Sequence, residues 1–199
     1  MGKGWQGGKG MKRKGILVAG LLLLGLGLSQ VGPFRARLEA AVRDGGTEFA
    51  RVMLAQDKAQ ALCSRHRDRL PADLIPTFLA EQRALIQYPE GGKLMGDWRK
   101  GQEIFTDPRR GNCYACHSGD PDEVAYGTIG PDLRGYGASR GQGEAVQRYV
   151  YEVVYNAWAY FPCSLMYRGG VQGHFTPEEA AHIVAFLLDP ESPVNRRSK

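Results

Sequence analysis

An all-α fold is what this sequence predicts, and three observations predict it. Apolar residues recur at three- and four-residue spacing between Phe49 and Leu62 and again between Ala180 and Leu187, the period of a helix face. Helix signals are written out. Thr176-Pro177-Glu178-Glu179 is a capping box with Pro at the first helical position, and Asp189-Pro190 stops the same helix. Little of the chain alternates in the manner of a strand. At 199 residues it suits one domain plus an extension.

The first 33 residues read as a leader. Seven of the 26 Lys and Arg fall within residues 1–38, where no acid occurs, and the remainder carries 19 basic against 21 acidic residues. The net charge of +5 therefore belongs to the leader, and the folded part lacks the basic excess of a nucleic-acid-binding domain. Lys12-Arg13-Lys14 precede a 13-residue apolar run, Ile16 to Leu28. That is the length of a secretory signal's apolar region and short of the ~20 residues of a spanning helix. Gly27-Leu28-Ser29 is a poorly written cleavage site, so a removed signal peptide and a retained N-terminal anchor both stand.

Residues 34–92 read as a helical extension. Phe34 to Val42 forms a first helix, closed at Gly45-Gly46. Phe49, Val52, Met53 and Leu62, with Ala50, Ala55 and Ala59 between them, continue at helical spacing. Leu74 to Ile86 is the next helix, with Pro71 and Pro76 as punctuation. It ends before Tyr88-Pro89-Glu90-Gly91-Gly92, which reads as the hinge to the core. The core, residues 93–199, opens with a helix from Asp97 to Phe105. Asp97 is its cap, and Gly101 and Phe105 share a face. Glu144 to Asn156 is a second core helix. The last carries Ala180, Ile183, Val184 and Leu187 in one stripe, with Phe186 beside it.

The chemistry sits between the first two core helices. Cys113-Tyr114-Ala115-Cys116-His117 has the C-x-x-C-H spacing of a c-type haem attachment site. Two thiols with two residues between them reach neighbouring vinyl groups of one porphyrin, and the adjacent imidazole reaches the iron. The competing readings are weaker. A structural zinc site needs four ligands, and Cys63 and Cys163 stand alone. A thioredoxin-like pair needs a βαβ setting. One haem c and one-electron transfer are expected, in an exported protein.

The second iron ligand is expected from Met166, the one methionine after His117. His174 and His182 compete with it, and a Cys163 thiolate is a remote further choice. A thioether favours ferrous iron and closes it to outside ligands. Pro131, in Gly130-Pro131-Asp132-Leu133, is placed to offer a carbonyl to the second ring nitrogen of His117, with Leu133 against the haem. Trp158 and Tyr160 are expected to wall the pocket. Asp120, Asp122, Glu178 and Glu179 read as turn and helix-start residues rather than catalytic acids. Cys63 and Cys163 are either joined in a disulfide or both free and buried, and an oxidising compartment favours the disulfide.

Taken together, Gly101 and Phe105 on a first helix, C-x-x-C-H, Gly-Pro-x-Leu, a methionine and a terminal amphipathic helix resemble a class I cytochrome c. The implied architecture is that fold with an N-terminal helical extension. A narrower resemblance rests on several strings. They are Gly96-Asp97-Trp98-Arg99-Lys100-Gly101, Gly111-Asn112 before the motif, and Tyr126-Gly127-Thr128-Ile129-Gly130-Pro131. Tyr136-Gly137, Tyr155-Asn156 and Cys163-Ser164 before Met166 continue the series, which closes with Leu187-Leu188-Asp189-Pro190-Glu191-Ser192-Pro193-Val194-Asn195. These are similar to the SoxX family, the monohaem cytochrome subunits of the SoxAX complex of thiosulfate oxidation. One departure stands out. The family has Met-Pro with Phe-Gly soon after, and this chain has Met166-Tyr167-Arg168-Gly169-Gly170.

The resemblance implies a His117/Met166 haem, a Cys63–Cys163 link and a heterodimer with a SoxA-like cytochrome. The partner's haem would conjugate thiosulfate to a cysteine of the SoxY-SoxZ carrier, an L-cysteine S-thiosulfotransferase reaction. This chain would accept the electrons and hand them to a soluble cytochrome c. Two alternatives carry the same motif: a free-standing periplasmic electron shuttle, and a haem-based ligand sensor.

Overall fold

The computed structural model describes residues 31–196. The leader expectation, Ile16 to Leu28 included, lies outside the described residues, as do the side chains of Val52 and Met53. Among the described residues there are helices and turns and no strand, so the all-α class holds. No helix among them is long and apolar enough to cross a membrane.

The chain divides into two compact units between Asp57 and Lys58. In the first, α1 (Val31–Asp44) packs on α2 (Thr47–Leu54). Gly46, at φ 99°, turns the chain between them in a conformation that favours glycine. The helical spacing read from Phe49 to Leu62 breaks at Ala55, which is extended and closes α2. It resumes as α3 in the second unit.

The second unit holds α3 (Lys58–Arg65), α4 (Ile75–Arg83), α5 (Trp98–Thr106), α6 (Tyr136–Arg140), α7 (Glu144–Tyr155) and α8 (Pro177–Leu188). Helix α8 organises it. Ala180, Ala181 and every residue from Ile183 to Leu188 are buried, so apolar surface on nearly all its sides must be covered. It is covered by α5, α6 and α7. The capping box forms as written: the Thr176 hydroxyl accepts from the Glu179 N–H, and the Glu179 carboxylate accepts from the Thr176 N–H. At the crossing of α5 and α8, Gly101 lies against the His182 carbonyl and the Phe186 side chain. A methyl group there would overlap backbone, which a close-packed crossing cannot relieve by moving a side chain. Asp97 caps α5, accepting from the Arg99 N–H at 2.8 Å.

The stretch expected as a hinge is fastened down. The Tyr88 hydroxyl donates to the Glu152 carboxylate at 2.7 Å, and the Tyr151 hydroxyl donates to the Gln87 carbonyl at 2.6 Å. The Tyr88 and Tyr151 rings stack at 5.4 Å. Residues 58–92 thus share one compact unit with the cytochrome-like half. A second, smaller core gathers Ala59, Cys63, Phe78 and Cys163, with Leu62, Leu70 and Trp158 against it. Cys63 of α3 and Cys163 are joined in a disulfide, their Cα atoms 5.6 Å apart across 100 residues of sequence.

Candidate cofactor site

The C-x-x-C-H segment is a turn, not part of a long helix. Asn112 adopts a left-handed conformation, φ 45°, which Asn tolerates better than most residues. It turns the chain into a 3₁₀ turn, Cys113–Ala115. The Cys116 and His117 N–H groups both donate to the Cys113 carbonyl, at 3.0 and 2.9 Å. Both thiols are free and part-buried. Burial, and then the neighbouring Cys116, push the Cys113 thiol up to about 12.

The His117 ring is fixed as the sequence expects. Its Nδ1 lies 2.8 Å from the Pro131 carbonyl. The carbonyl can only accept, so Nδ1 carries the proton and Nε2 keeps its lone pair for a metal. Around this bond, two backbone segments are stitched residue by residue. The Gly130 N–H donates to the Cys116 carbonyl at 2.8 Å, and the Leu133 N–H donates to the Ser118 carbonyl at 3.0 Å. The Ser118 hydroxyl donates to Asp132 Oδ1 at 2.5 Å. Arg134 holds the same carboxylate through its backbone N–H and its guanidinium. The Arg134 guanidinium first, and the Ser118 hydroxyl next, hold the Asp132 carboxyl well below the usual carboxylate range. Gly130 lies against the His117 ring, so closely that a methyl group would enter its van der Waals space. Leu133 is half-buried against the main core.

Met166 is half-buried on the loop between Cys163 and Phe175. Its N–H donates to the Ser164 hydroxyl at 3.1 Å. The next residue ties this loop to the motif: the Tyr167 hydroxyl donates to the Gly111 carbonyl at 2.5 Å. Burial, then the Cys113 and Cys116 thiols, raise the Tyr167 hydroxyl above the ordinary tyrosine range. The competing ligands are disposed differently. Cys163 is consumed by the disulfide. His182 Nδ1 accepts from the Asp97 N–H at 2.8 Å, which ties it to the start of α5. His174 is exposed, edge-on to Tyr167 at 5.2 Å.

The two aromatics expected as pocket walls have other partners. Trp158 packs on Phe78 at 5.9 Å and donates from Nε1 to the Ser164 carbonyl at 2.8 Å. Tyr160 lies edge-on to Tyr149 at 5.0 Å and donates to Glu152 at 2.6 Å. Glu179 serves the start of α8, as read, Glu178 accepts from the Glu90 N–H, and Asp120 accepts from the Asp122 N–H in a turn. Three residues escaped the sequence reading: Ser118, Tyr167 and Arg168. Arg168 is 2 % exposed and among the largest fully buried side chains. Nothing in its Gly-bounded sequence signals burial.

The donor set fits a porphyrin held by two thioether bonds. Two uncommitted thiols are separated by two residues and followed by an imidazole whose Nε2 is left available by the Nδ1 bond to Pro131. Ile129 and Leu165, sequence neighbours of Gly130 and Met166, are large apolar side chains left 71 % and 85 % exposed, surface that a flat apolar macrocycle would cover. A zinc site is not assembled. Among the described residues, the one cluster close enough to hold a metal is Cys63, Asp68 and Cys163, and its two sulfurs are bonded to each other.

Comparison with known proteins agrees with this chemistry. The family model for cytochrome c matches residues 98–189. The chain is also 44 % identical over 163 residues to an uncharacterized lipoprotein of Aquifex aeolicus (strain VF5), an alignment covering 75 % of this chain and 77 % of that protein.

Proposed function

Because residues 98–189 belong to the cytochrome c family, we propose that the chain is the monohaem electron-transfer subunit of a SoxAX-type complex outside the cytoplasmic membrane. Family membership implies covalently bound haem c and electron transfer. When bound, haem c supplies reversible one-electron chemistry at its iron. In this reading Cys113 and Cys116 hold the porphyrin, and His117 and Met166 hold the iron. The protein's own work is then to orient the two ligands and keep water and small molecules from the metal. The Pro131 carbonyl fixes the His117 tautomer, and Ser118 with Asp132 holds that turn in register.

The observation that carries the proposal is the C-x-x-C-H turn with its imidazole pinned by Pro131. The narrower role rests on the strings similar to SoxX and on the helical segment before the core. A SoxA-like partner would join thiosulfate to a carrier cysteine of SoxY-SoxZ. Two electrons leave as that sulfur–sulfur bond forms, and this chain would take them one at a time and pass them to a soluble cytochrome c. The Aquifex relative is a lipoprotein, which supports an extracytoplasmic or membrane-anchored location.

Co-expression with a SoxA-like cytochrome tests the role. A stable heterodimer that reduces this chain's haem on addition of thiosulfate and carrier is expected. A chain that stays monomeric beside the folded partner would overturn it, and a free electron shuttle would take its place.

A further inference from the structure

The loop that carries Met166 is irregular and runs into Gly169-Gly170, yet it is not left loose. Arg168, two residues on, is buried at 2 % exposure. Its guanidinium lies 4.4 Å from the Trp158 ring centre, and its Nη1 donates to Gln82 Oε1 at 3.3 Å. Gln82 is itself buried at 2 %, on α4. The Asn156 amide donates to both oxygens of Gln82, the backbone one at 2.8 Å. Trp158 in turn holds the Ser164 carbonyl at 2.8 Å. The Arg168 N–H donates to Gln172 Oε1, and the Gly170 N–H donates to the Tyr155 carbonyl. The loop is thus gripped on both sides of Met166 by one buried polar hub.

A buried guanidinium is costly unless it is fully paired. Its retention two residues from the expected ligand calls for a reason. A well-paired buried cation admits one geometry, because any displacement strands its charge. We propose that Arg168 is a positioning residue for the Met166 sulfur. Through Gln82, it makes α4 of the N-terminal extension the fixed wall against which the ligand loop is set. The extension then has work to do at the iron: with Cys63–Cys163 on one side of Met166 and Gln82–Arg168 on the other, it fixes the loop at both ends. The proposal rests on the reading of Met166 as the second ligand.

The test uses the full haem-loaded chain and four variants: Arg168→Met, Arg168→Lys, Gln82→Leu and Met166→Ala. Three readouts apply: the methionine-to-iron charge-transfer absorption of the ferric protein, its reduction potential, and carbon monoxide binding after reduction. Wild type should show the absorption and bind carbon monoxide slowly and weakly. Arg168→Met should weaken the absorption, lower the potential and raise apparent carbon monoxide affinity about tenfold or more, the equilibrium equivalent of a lost charge-assisted hydrogen bond. Arg168→Lys, which keeps the cation beside Trp158, should recover part of the effect. Gln82→Leu leaves the loop sequence untouched and should shift the same readouts in the same direction. It carries the test if Arg168→Met fails to accumulate with haem. If Met166→Ala opens the iron while Arg168→Met and Gln82→Leu leave all three readouts at wild-type values, the positioning role is wrong. If Met166→Ala changes nothing, the ligand assignment itself is wrong.

Discussion

The His117 ring shows how much one residue depends on neighbours far along the chain. Its tautomer is set by Pro131, and its lateral position by Gly130. A side chain at Gly130 has no room without tilting the imidazole. Gly130→Ala should therefore cost about 1–3 kcal/mol of stability, as overpacking does. It should also perturb the haem spectrum of the loaded protein, whereas a purely structural glycine would alter stability alone. Denaturant unfolding followed beside the visible spectrum separates the two. The motif and the Pro131 carbonyl were legible in the sequence, because the C-x-x-C-H spacing is local. Ser118 with Asp132 was not legible, because nothing in the sequence announces that two small polar side chains 14 residues apart meet. Arg168 was opaque for a stronger reason. An arginine between turn residues reads as exposed, and Gln82, arriving from 86 residues away, and Trp158 help make its burial tolerable.

Among the elements, α8 was the best written, since its capping box, apolar stripe and Pro stop act over a few residues each. Its partners were less visible, because a crossing depends on how two surfaces fit. His182 illustrates this. It read as a competitor for the iron, and its Nδ1 proves to accept the Asp97 N–H at the start of α5. That hydrogen bond requires the neutral ring. Burial first, and the Lys100 charge next, lower the His182 pKa, while Asp97, Glu179 and Glu178 pull it the other way. A histidine whose folded pKa is depressed binds its proton more readily in the unfolded chain. Its contribution to stability is then full above the unfolded value of about 6.5, and it is lost as pH falls through that value toward the folded one. The thermal unfolding midpoint should accordingly fall as pH drops below about 6.5. His182→Gln, whose side-chain carbonyl still accepts from Asp97, should flatten that part of the profile. An unchanged slope in the variant would assign the acid sensitivity elsewhere.

Taken whole, the second unit holds a cytochrome c domain with a helical segment bound to the loop that carries Met166. The disulfide closes a span of 100 residues, and Cys163 sits at φ 57°, a left-handed conformation that costs a non-glycine residue about 1–2 kcal/mol. The cross-link and the small core around it hold that conformation in place. Replacing both Cys63 and Cys163 by Ala should lower the unfolding free energy of the haem-loaded protein by about 2–5 kcal/mol. Because α4 also meets the loop through Gln82, the double variant should keep haem while loosening Met166. Thermal midpoint and carbon monoxide binding measured on one sample would show both effects. Four cysteines in two chemically distinct pairs were legible from spacing and compartment. That the extension packs on the loop carrying Met166 was not, because no local pattern records a contact between residues so far apart in sequence.

The most direct test of the account is the intact mass of the exported protein under denaturing conditions, with and without Cys113→Ala and Cys116→Ala. The account predicts a wild-type mass equal to the chain plus one haem, with the haem resisting acidic organic extraction, and loss of that added mass in the double variant while Cys63–Cys163 remains oxidised. A wild-type chain of bare polypeptide mass, or an added mass that survives loss of both thiols, would contradict it.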